Sequence, residues 1–122
     1  MITVDEIIKG KPVTPGILLN IVELVARLNV VRLAYDKPMI INSGLRTKAD
    51  QMRINPKAPN SAHVEGMAAD IRDADGQLKK WLAENMEVLE LANLYMEDPK
   101  ATPTWVHLQT RPPRSGNRTF KP

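Results

Sequence analysis

The chain contains only two histidines, His63 and His107, and both lie in patterns that suit a metal site. His63 belongs to the pattern Ser-x-His-x-x-Gly-x-Ala-x-Asp, which spans residues 61–70. The last member of this pattern, Asp70, stands in an otherwise apolar stretch, where a carboxylate is costly unless it is paired or bound to a cation. Two imidazoles and one carboxylate, with a fourth position open to water, are typical ligands of catalytic zinc. The sequence therefore predicts a zinc site formed by His63, Asp70 and His107.

The smaller residues of the same pattern are suited to positioning these ligands. The hydroxyl of Ser61 can fix the loop that precedes His63. Gly66 permits a tight turn or a close approach of the backbone to another element. Ala68 and Asp70 are two residues apart in a predicted strand, so they point to the same face, and Ala68 leaves room there for a bulky neighbour. This spacing favours a metal site.

The elements that carry these residues can be predicted from apolar periodicity and from helix end signals. Thr14-Pro15 is a helix start, and apolar residues at helical spacing extend this helix to about Tyr35. Further helices are predicted over residues 4–9, 47–54 and 77–91, and strands over residues 39–42, 67–73, 92–97 and 105–110. Strands and helices do not alternate regularly, and the last two strands form a predicted hairpin. The 122 residues are therefore expected to form one α+β domain, residues 1–122, with a mainly antiparallel sheet.

Three segments in this order resemble the zinc D-alanyl-D-alanine carboxypeptidase family. They are Ile-Asn-Ser-Gly-Leu-Arg-Thr at residues 41–47, Ser-Ala-His-Val-Glu-Gly-Met-Ala-Ala-Asp-Ile at residues 61–71, and Trp-Val-His-Leu-Gln at residues 105–109. That family includes phage-type L-alanyl-D-glutamate endopeptidases, and the hedgehog signalling domain shares its fold. The resemblance covers about residues 17–118, which is nearly the whole chain.

The resemblance implies a hedgehog/DD-peptidase-like fold and a role for each matching residue. His63, Asp70 and His107 match the zinc ligands of the family. Arg46 matches an arginine that polarises the scissile carbonyl and stabilises the oxyanion, a role for which a permanently charged guanidinium is suited. Arg46, Ser61 and Trp105 are expected to contact the substrate, and Trp105 is interpreted as a core or pocket-wall residue and not as a catalyst.

The general base is where the sequence departs from the family pattern. Many relatives carry a glutamate three residues before the last histidine ligand, but this chain has Thr104 there, and a threonine is no base near neutral pH. Other relatives carry the glutamate at the end of the preceding strand, which is the position of Glu97. Glu97 is therefore the predicted catalytic base, and the neighbouring Asp98 is the alternative.

The predicted hairpin gives this assignment a geometry. If residues 98–104 form its loop, Glu97 lies opposite Trp105 and Tyr95 lies opposite His107. Glu97 and His107 are then diagonal neighbours on one face of the sheet, with room for a water between them. A shift of one residue in the pairing would turn Glu97 away from the metal. Gln109, on the same face as His107, could donate a hydrogen bond to a ligand.

Charge and composition limit the choice of partner. The net charge is +3, and its surplus lies mainly in Arg111, Arg114, Arg118 and Lys121, which have no acidic neighbour in the sequence. This tail is either a solvated end or an attraction for an anionic polymer such as nucleic acid or cell wall. The few aromatic residues are scattered, which argues against nucleic acid. The absence of cysteine excludes disulfides and thiolate chemistry.

Together these observations predict a monomeric zinc peptidase that hydrolyses a peptide bond in the stem peptide of bacterial peptidoglycan. The bond could be that of a D-Ala-D-Ala carboxypeptidase or of an L-Ala-D-Glu endopeptidase. A carboxypeptidase would also need a basic or hydroxyl group for the terminal carboxylate, which the sequence does not locate. Two alternatives remain open. One is a non-catalytic module that contains zinc and binds cell wall or serves a phage structure, which Thr104 favours. The other is a basic nucleic-acid-binding domain, for which the arginine-rich tail is the only support.

The sequence also carries expectations about location. The N-terminus has neither a basic leader nor an apolar stretch of signal-peptide length, and no segment is apolar enough to span a membrane. We therefore expect no membrane partner and synthesis in the cytoplasm, with action on the cell wall after release. By analogy with the family, that pattern is typical of a phage lysis or virion-associated enzyme.

Overall fold

The structure, a computed structural model, describes all 122 residues, which form five helices and a five-stranded sheet. The helices are α1 (Val4–Ile8), α2 (Pro15–Tyr35), α3 (Lys48–Ile54), α4 (Gln77–Glu84) and α5 (Glu87–Ala92). The strands are β1 (Ile41–Ser43), β2 (Ala68–Arg72), β3 (Tyr95–Glu97), β4 (Trp105–Gln109) and β5 (Thr119–Phe120), and a single 3-10 turn spans Pro99–Ala101. The strand order is β1-β2-β4-β3-β5, and only β3 and β5 run parallel. The predicted α+β class with a mainly antiparallel sheet is confirmed. No helix combines the length and hydropathy that crossing a bilayer requires.

Helix α2 forms the centre of the hydrophobic core, and its limits follow from its sequence. The Thr14 hydroxyl accepts a hydrogen bond from the Ile17 N–H at 3.2 Å, and Pro15 occupies a first-turn position where its missing N–H costs nothing. The helix ends at Asp36, which adopts a left-handed conformation with φ 56°. Its buried side chains pack against one face of the sheet, in a single cluster that includes Ala69, Ile71, Val106, Leu108 and Met96. Since side chains alternate along a strand, the other face is left free for polar residues.

The predicted helix over residues 77–91 is wrong in one respect, because the structure divides it into α4 and α5. Asn85 leaves the helical conformation at φ −134° and ψ 46°, and its amide side chain donates to the Trp81 carbonyl at 2.9 Å. A side chain that bonds to the local backbone in this way competes with the helix. The break allows Val88 and Leu89 of α5 to be buried in the core. Strand β3 is also shorter than predicted, because Ala92 still belongs to α5.

Two glycines allow the loops that carry polar residues to approach the helices closely. Gly66 has φ +73°, and a Cβ atom built there would lie 2.7 Å from Cγ1 of Ile21 in α2. A Cβ atom on Gly44 would lie 2.6 Å from the carbonyl oxygen of Ile7 in α1. Both distances are too short for real carbon contacts, so these backbone segments can rest on the helices only because no side chain is present. The predicted close approach at Gly66 is confirmed.

The C-terminal segment is more ordered than its sequence indicates. Strand β5 pairs with β3, where the Met96 N–H donates to the Arg118 carbonyl at 2.7 Å. The Arg118 guanidinium lies 4.4 Å from the centre of the Tyr95 ring and 3.2 Å from a Glu90 carboxylate oxygen. Arg118 therefore has an acidic partner that is distant in the sequence, and it links the segment to α5 as well as to β3.

Candidate metal centre

The sheet register brings two of the predicted ligands together. Asp70 of β2 and His107 of β4 are directly opposite one another in the antiparallel pairing, on the face turned away from the core. His63 lies in the loop before β2, and its carbonyl accepts from the Arg46 N–H at 3.1 Å. The three side chains are buried, and one ligand atom of each lies within 4.8 Å of the other two.

Hydrogen bonding fixes which nitrogen of His63 faces this cluster. Nδ1 of His63 lies 2.8 Å from the carbonyl oxygen of Gly44, which can only accept. Nδ1 therefore carries the hydrogen, and Nε2 presents its lone pair to the cluster, 3.3 Å from Oδ2 of Asp70. The N–H of His63 itself donates to the Ser61 hydroxyl at 3.3 Å, so Ser61 fixes the loop as its position in the motif predicts.

His107 is oriented in the same manner, but through a side chain. The Gln109 amide donates from Nε2 to the Arg111 carbonyl at 2.7 Å, so its oxygen, Oε1, is the atom that faces His107. That oxygen accepts from Nε2 of His107 at 2.7 Å. Nδ1 of His107 is then the free nitrogen, and it lies 2.9 Å from Oδ1 of Asp70. Gln109 therefore contacts the predicted metal ligand His107, as expected, but it accepts the hydrogen bond that it was predicted to donate.

This arrangement fits a bound cation. Two lone pairs of histidine point at the oxygens of one carboxylate, and two acceptors this close repel unless a positive charge lies between them. In a tetrahedral site with bonds of about 2.0–2.1 Å, ligand atoms are about 3.3–3.4 Å apart, close to the separation of His63 and Asp70. His63, Asp70 and His107 can therefore hold a metal ion.

The protonation of the cluster reflects the same attraction. When no metal is bound, protons on the two histidines take the place of the cation. Burial alone would raise the pKa of Asp70, but hydrogen bonds from protonated His107 and His63, together with their positive charges, outweigh it and hold the pKa well below its usual range. Burial would lower the pKa of His107, but its hydrogen bond to Asp70 and the charge of that carboxylate raise the pKa above the usual value. The cluster thus attracts a cation strongly.

Arg46 lies beside the cluster and is held by three side chains. Its Nη2 lies 3.1 Å from Oδ2 of Asp70, its Nη1 donates to Oε1 of Gln51 at 3.0 Å, and its Nε donates to the Ser43 hydroxyl at 3.1 Å. Gln51 in turn donates to the Ala58 carbonyl at 2.9 Å and is 2% exposed. The guanidinium is therefore fixed in direction at the edge of the cluster.

Gln51 is a site residue that sequence reasoning missed. It lies on the buried side of α3, whereas the apolar Met52 and Ile54 of the same helix are exposed at 44% and 62%. In so short a helix, the positions of the apolar residues predict the wrong face to be buried. The one local indication is a glutamine close in sequence to a predicted catalytic arginine.

Glu97 reaches the same face of the sheet by a register that differs from the prediction. Tyr95 pairs with Gln109 and Met96 with Leu108, so the pairing is shifted by two residues and the predicted partners are wrong. If this register is continued by one residue along β3, Glu97 lies opposite His107 of β4. A shift of two residues preserves the face, so Glu97 still lines the cleft that contains the cluster. Burial raises the pKa of the Glu97 carboxyl, with an opposing effect from His107 and a smaller additional increase from Asp70.

The remaining predicted residues divide into two groups. Ser61 and Trp105 line the cleft together with Arg46. Asp98 does not line it, because its side chain accepts from the Lys100 N–H and begins the 3-10 turn. Thr104 is exposed and contributes only its carbonyl, which accepts from the Asp73 N–H at 2.9 Å.

The cleft has a volume of about 710 Å³, and the C-terminal segment supplies one of its sides. Arg111, Arg114, Phe120 and Lys121 all line it. The Phe120 ring meets the His107 ring edge-on, with centroids 6.2 Å apart and an angle of 80° between their planes.

Comparison with known proteins identifies the family. The family model described as Peptidase M15 matches residues 1–109, which include all three residues of the cluster, Arg46 and Glu97. No match was found among curated proteins, and none among solved structures. Because the match covers most of the chain, this protein belongs to the peptidase M15 family and is a metallopeptidase, a hydrolase.

Proposed function

We propose that the protein is a zinc peptidase that hydrolyses a peptide bond in the stem peptide of bacterial peptidoglycan, as a D-Ala-D-Ala carboxypeptidase or an L-Ala-D-Glu endopeptidase does. The observation that carries the proposal is the convergence of His63, Asp70 and His107 in a cleft that also contains Arg46 and Glu97. Two imidazole nitrogens and one carboxylate are donors that zinc accepts readily, and they leave room for a further ligand.

A zinc ion held by these residues would polarise the scissile carbonyl and lower the pKa of a water molecule. Glu97 supplies the proton transfers. Its carboxylate lies in the same cleft, on the same sheet face as His107, and is partly buried. As general base it takes a proton from the attacking water, and as general acid it delivers that proton to the amine that leaves.

Arg46 supplies the fixed positive charge. Because Ser43, Gln51 and Asp70 each engage a different nitrogen of its guanidinium, the side chain does not have to be ordered when substrate binds. Its remaining N–H groups are available for the oxygen that becomes negative in the transition state. A preorganised donor of this kind contributes about 10²–10³ in rate.

The choice of a cell-wall peptide rests on the family resemblance, and the size of the cleft is compatible with it. A volume of about 710 Å³ admits several residues of a peptide. We propose the same setting as the sequence predicts: an enzyme that reaches the cell wall after release, in a phage lysis or virion context.

The proposal can be tested with purified peptidoglycan and short stem peptides. The zinc-loaded protein is expected to release fragments whose masses identify the cleaved bond, and a chelator should stop this release. Glu97→Gln should retain the metal and lose the product, because an amide cannot accept the proton. The proposal would be contradicted if the wild type and Glu97→Gln released the same fragments and the chelator did not reduce this release.

Thr104 favours one competing function, a zinc-containing module that binds cell wall without cleaving it. The digestion separates the two. Sedimentation of both proteins with insoluble peptidoglycan, with no fragment released by either, would support the binding module.

A further inference from the structure

The side of the cleft formed by the C-terminal segment lies outside the matched family region. The family match ends at residue 109, whereas residues 111–114 and 120–122 line the cleft. Beyond them, a second hollow of about 470 Å³ is lined only by residues between 113 and 121. The two cavities share Pro113, Arg114, Phe120 and Lys121, so the hollow continues the cleft.

Both ends of this segment are anchored. At its start, Arg111 donates to the Asn60 carbonyl at 2.9 Å and pairs with the Glu65 carboxylate at 3.3 Å. Near its end, β5 pairs with β3, and Asp98 donates its N–H to the Phe120 carbonyl at 2.6 Å. Anchors on both sides of the hollow give its lining a fixed position relative to the metal centre.

Four arginine and lysine side chains line the cleft, and only two of them form ion pairs with a carboxylate. Arg46 is engaged by Asp70, and Arg111 is engaged by Glu65. Arg114 and Lys121 are exposed and form no ion pair with any carboxylate of the chain. They lie where the cleft and the hollow meet, and Ser115, Asn117 and Thr119 add hydroxyl and amide groups to the same lining.

We propose that Arg114 and Lys121 bind a carboxylate of the substrate peptide in this hollow and so select acidic peptides. The inference rests on the proposed function, because it assumes that the cleaved bond lies at the metal centre in the adjoining cleft. Two positively charged side chains in one concave site attract an anionic group, and a basic side chain is suited to binding a carboxylate.

The test compares an acidic stem peptide with the same peptide whose carboxylates are carboxamides. Arg114→Gln with Lys121→Gln is expected to raise KM for the acidic peptide about tenfold and to leave kcat within about twofold. KM for the carboxamide peptide should change by less than about twofold. Lys80→Gln, which removes an exposed charge on α4 that lines neither the cleft nor the hollow, is the control and should leave KM for both peptides unchanged. Equal KM changes for both peptides, or none, would overturn the inference while leaving the peptidase itself intact.

A binding measurement keeps the inference independent of turnover. In the Glu97→Gln background, calorimetry should show that the acidic peptide binds about tenfold more weakly once both cations are removed. This difference should shrink at high salt, since the two side chains are exposed. If neither the wild type nor any variant cleaves a peptide, but the acidic peptide still binds through Arg114 and Lys121, the proposed function is contradicted and the binding site is supported. Binding that is unaffected by the double substitution removes the site.

Discussion

The side-chain oxygen of Gln109 accepts a hydrogen bond from Nε2 of His107 at 2.7 Å and thereby determines which nitrogen of that imidazole is free. The amide is held in this orientation because its NH₂ group donates to the Arg111 carbonyl. His63 is oriented in the same way by the carbonyl of Gly44. Both histidines therefore present a free nitrogen to Asp70 before any metal binds, and Gln109 acts as a positioning residue.

We expect Gln109→Ala to weaken metal binding about 10- to 100-fold, because His107 loses the partner that fixes its ring and its tautomer. Competition with a chromophoric zinc chelator measures the change. Gln77→Ala, which removes an exposed glutamine at the start of α4, is the matched control. An affinity for zinc that is the same in Gln109→Ala as in Gln77→Ala would show that the orientation of His107 does not depend on this bond.

Metal removal is expected to lower thermal stability as well as activity. A ligand that binds only the folded state stabilises it, by about 4 kcal/mol at a free concentration of about 1,000 times Kd. Calorimetry of zinc-loaded protein should therefore give a higher Tm than calorimetry after dialysis against chelator. In His63→Ala the two samples should unfold at nearly the same temperature. A Tm difference in His63→Ala as large as in wild type would place the metal elsewhere.

The raised pKa of Glu97 predicts the acidic limb of the pH–rate profile. The base must be ionised to accept a proton, and the raised pKa means that Glu97 takes up its own proton at a higher pH than a free glutamate, about 4.3, would. As the pH falls, kcat/KM should therefore begin to decrease above the pH range of an exposed carboxylate. Metal content measured at each pH separates this effect from loss of zinc. If activity and zinc disappear together, the limb reports metal dissociation and the assignment to Glu97 is not supported.

Local sequence signals predict most of the helices and strands. The features that the sequence does not predict depend on contacts between residues distant in the chain. The start of α2 was predictable because Thr14 and Pro15 act on the first turn alone. The register of Glu97 was not, because the connection before β4 contains a 3-10 turn and the first residues of β4 pair with β2 only. Alternation along a strand still placed Glu97 on the correct face.

The C-terminal side of the cleft shows the same limit. The charge of Arg118 looks unpaired in the sequence because Glu90 lies 28 residues away, and Arg111 finds its partner carbonyl 51 residues away at Asn60. Pairings over such separations depend on the finished sheet. The metal-site residues were easier to predict, because only two histidines are present and the motif around His63 is dense.

Gln51 is expected to affect the rate without affecting the metal. Gln51→Leu removes the acceptor of one Arg46 nitrogen, so the guanidinium gains freedom, and it leaves the Ala58 carbonyl without a donor. We expect kcat to fall about tenfold, zinc content to stay unchanged, and the free energy of unfolding to decrease by about 1–3 kcal/mol. Steady-state kinetics with metal analysis measures both effects, and Gln77→Leu serves as the control. A changed KM with an unchanged kcat would mean that Gln51 only maintains the shape of the cleft.

Gly66 offers a test of how closely the motif loop rests on α2. Gly66 and Gly76 have nearly the same φ, +73° and +74°, so alanine imposes a similar backbone strain at both, but a Cβ atom meets Ile21 at Gly66 and open space at Gly76. We expect Gly66→Ala to lower the free energy of unfolding by about 1–3 kcal/mol more than Gly76→Ala, because the loop must move away from the helix. That movement also displaces His63, so zinc affinity should fall in Gly66→Ala alone. Denaturant unfolding of the metal-free proteins and chelator competition supply the two measurements. Equal losses of stability in both variants would mean that strain accounts for the whole effect and that the contact with Ile21 does not hold the loop in place.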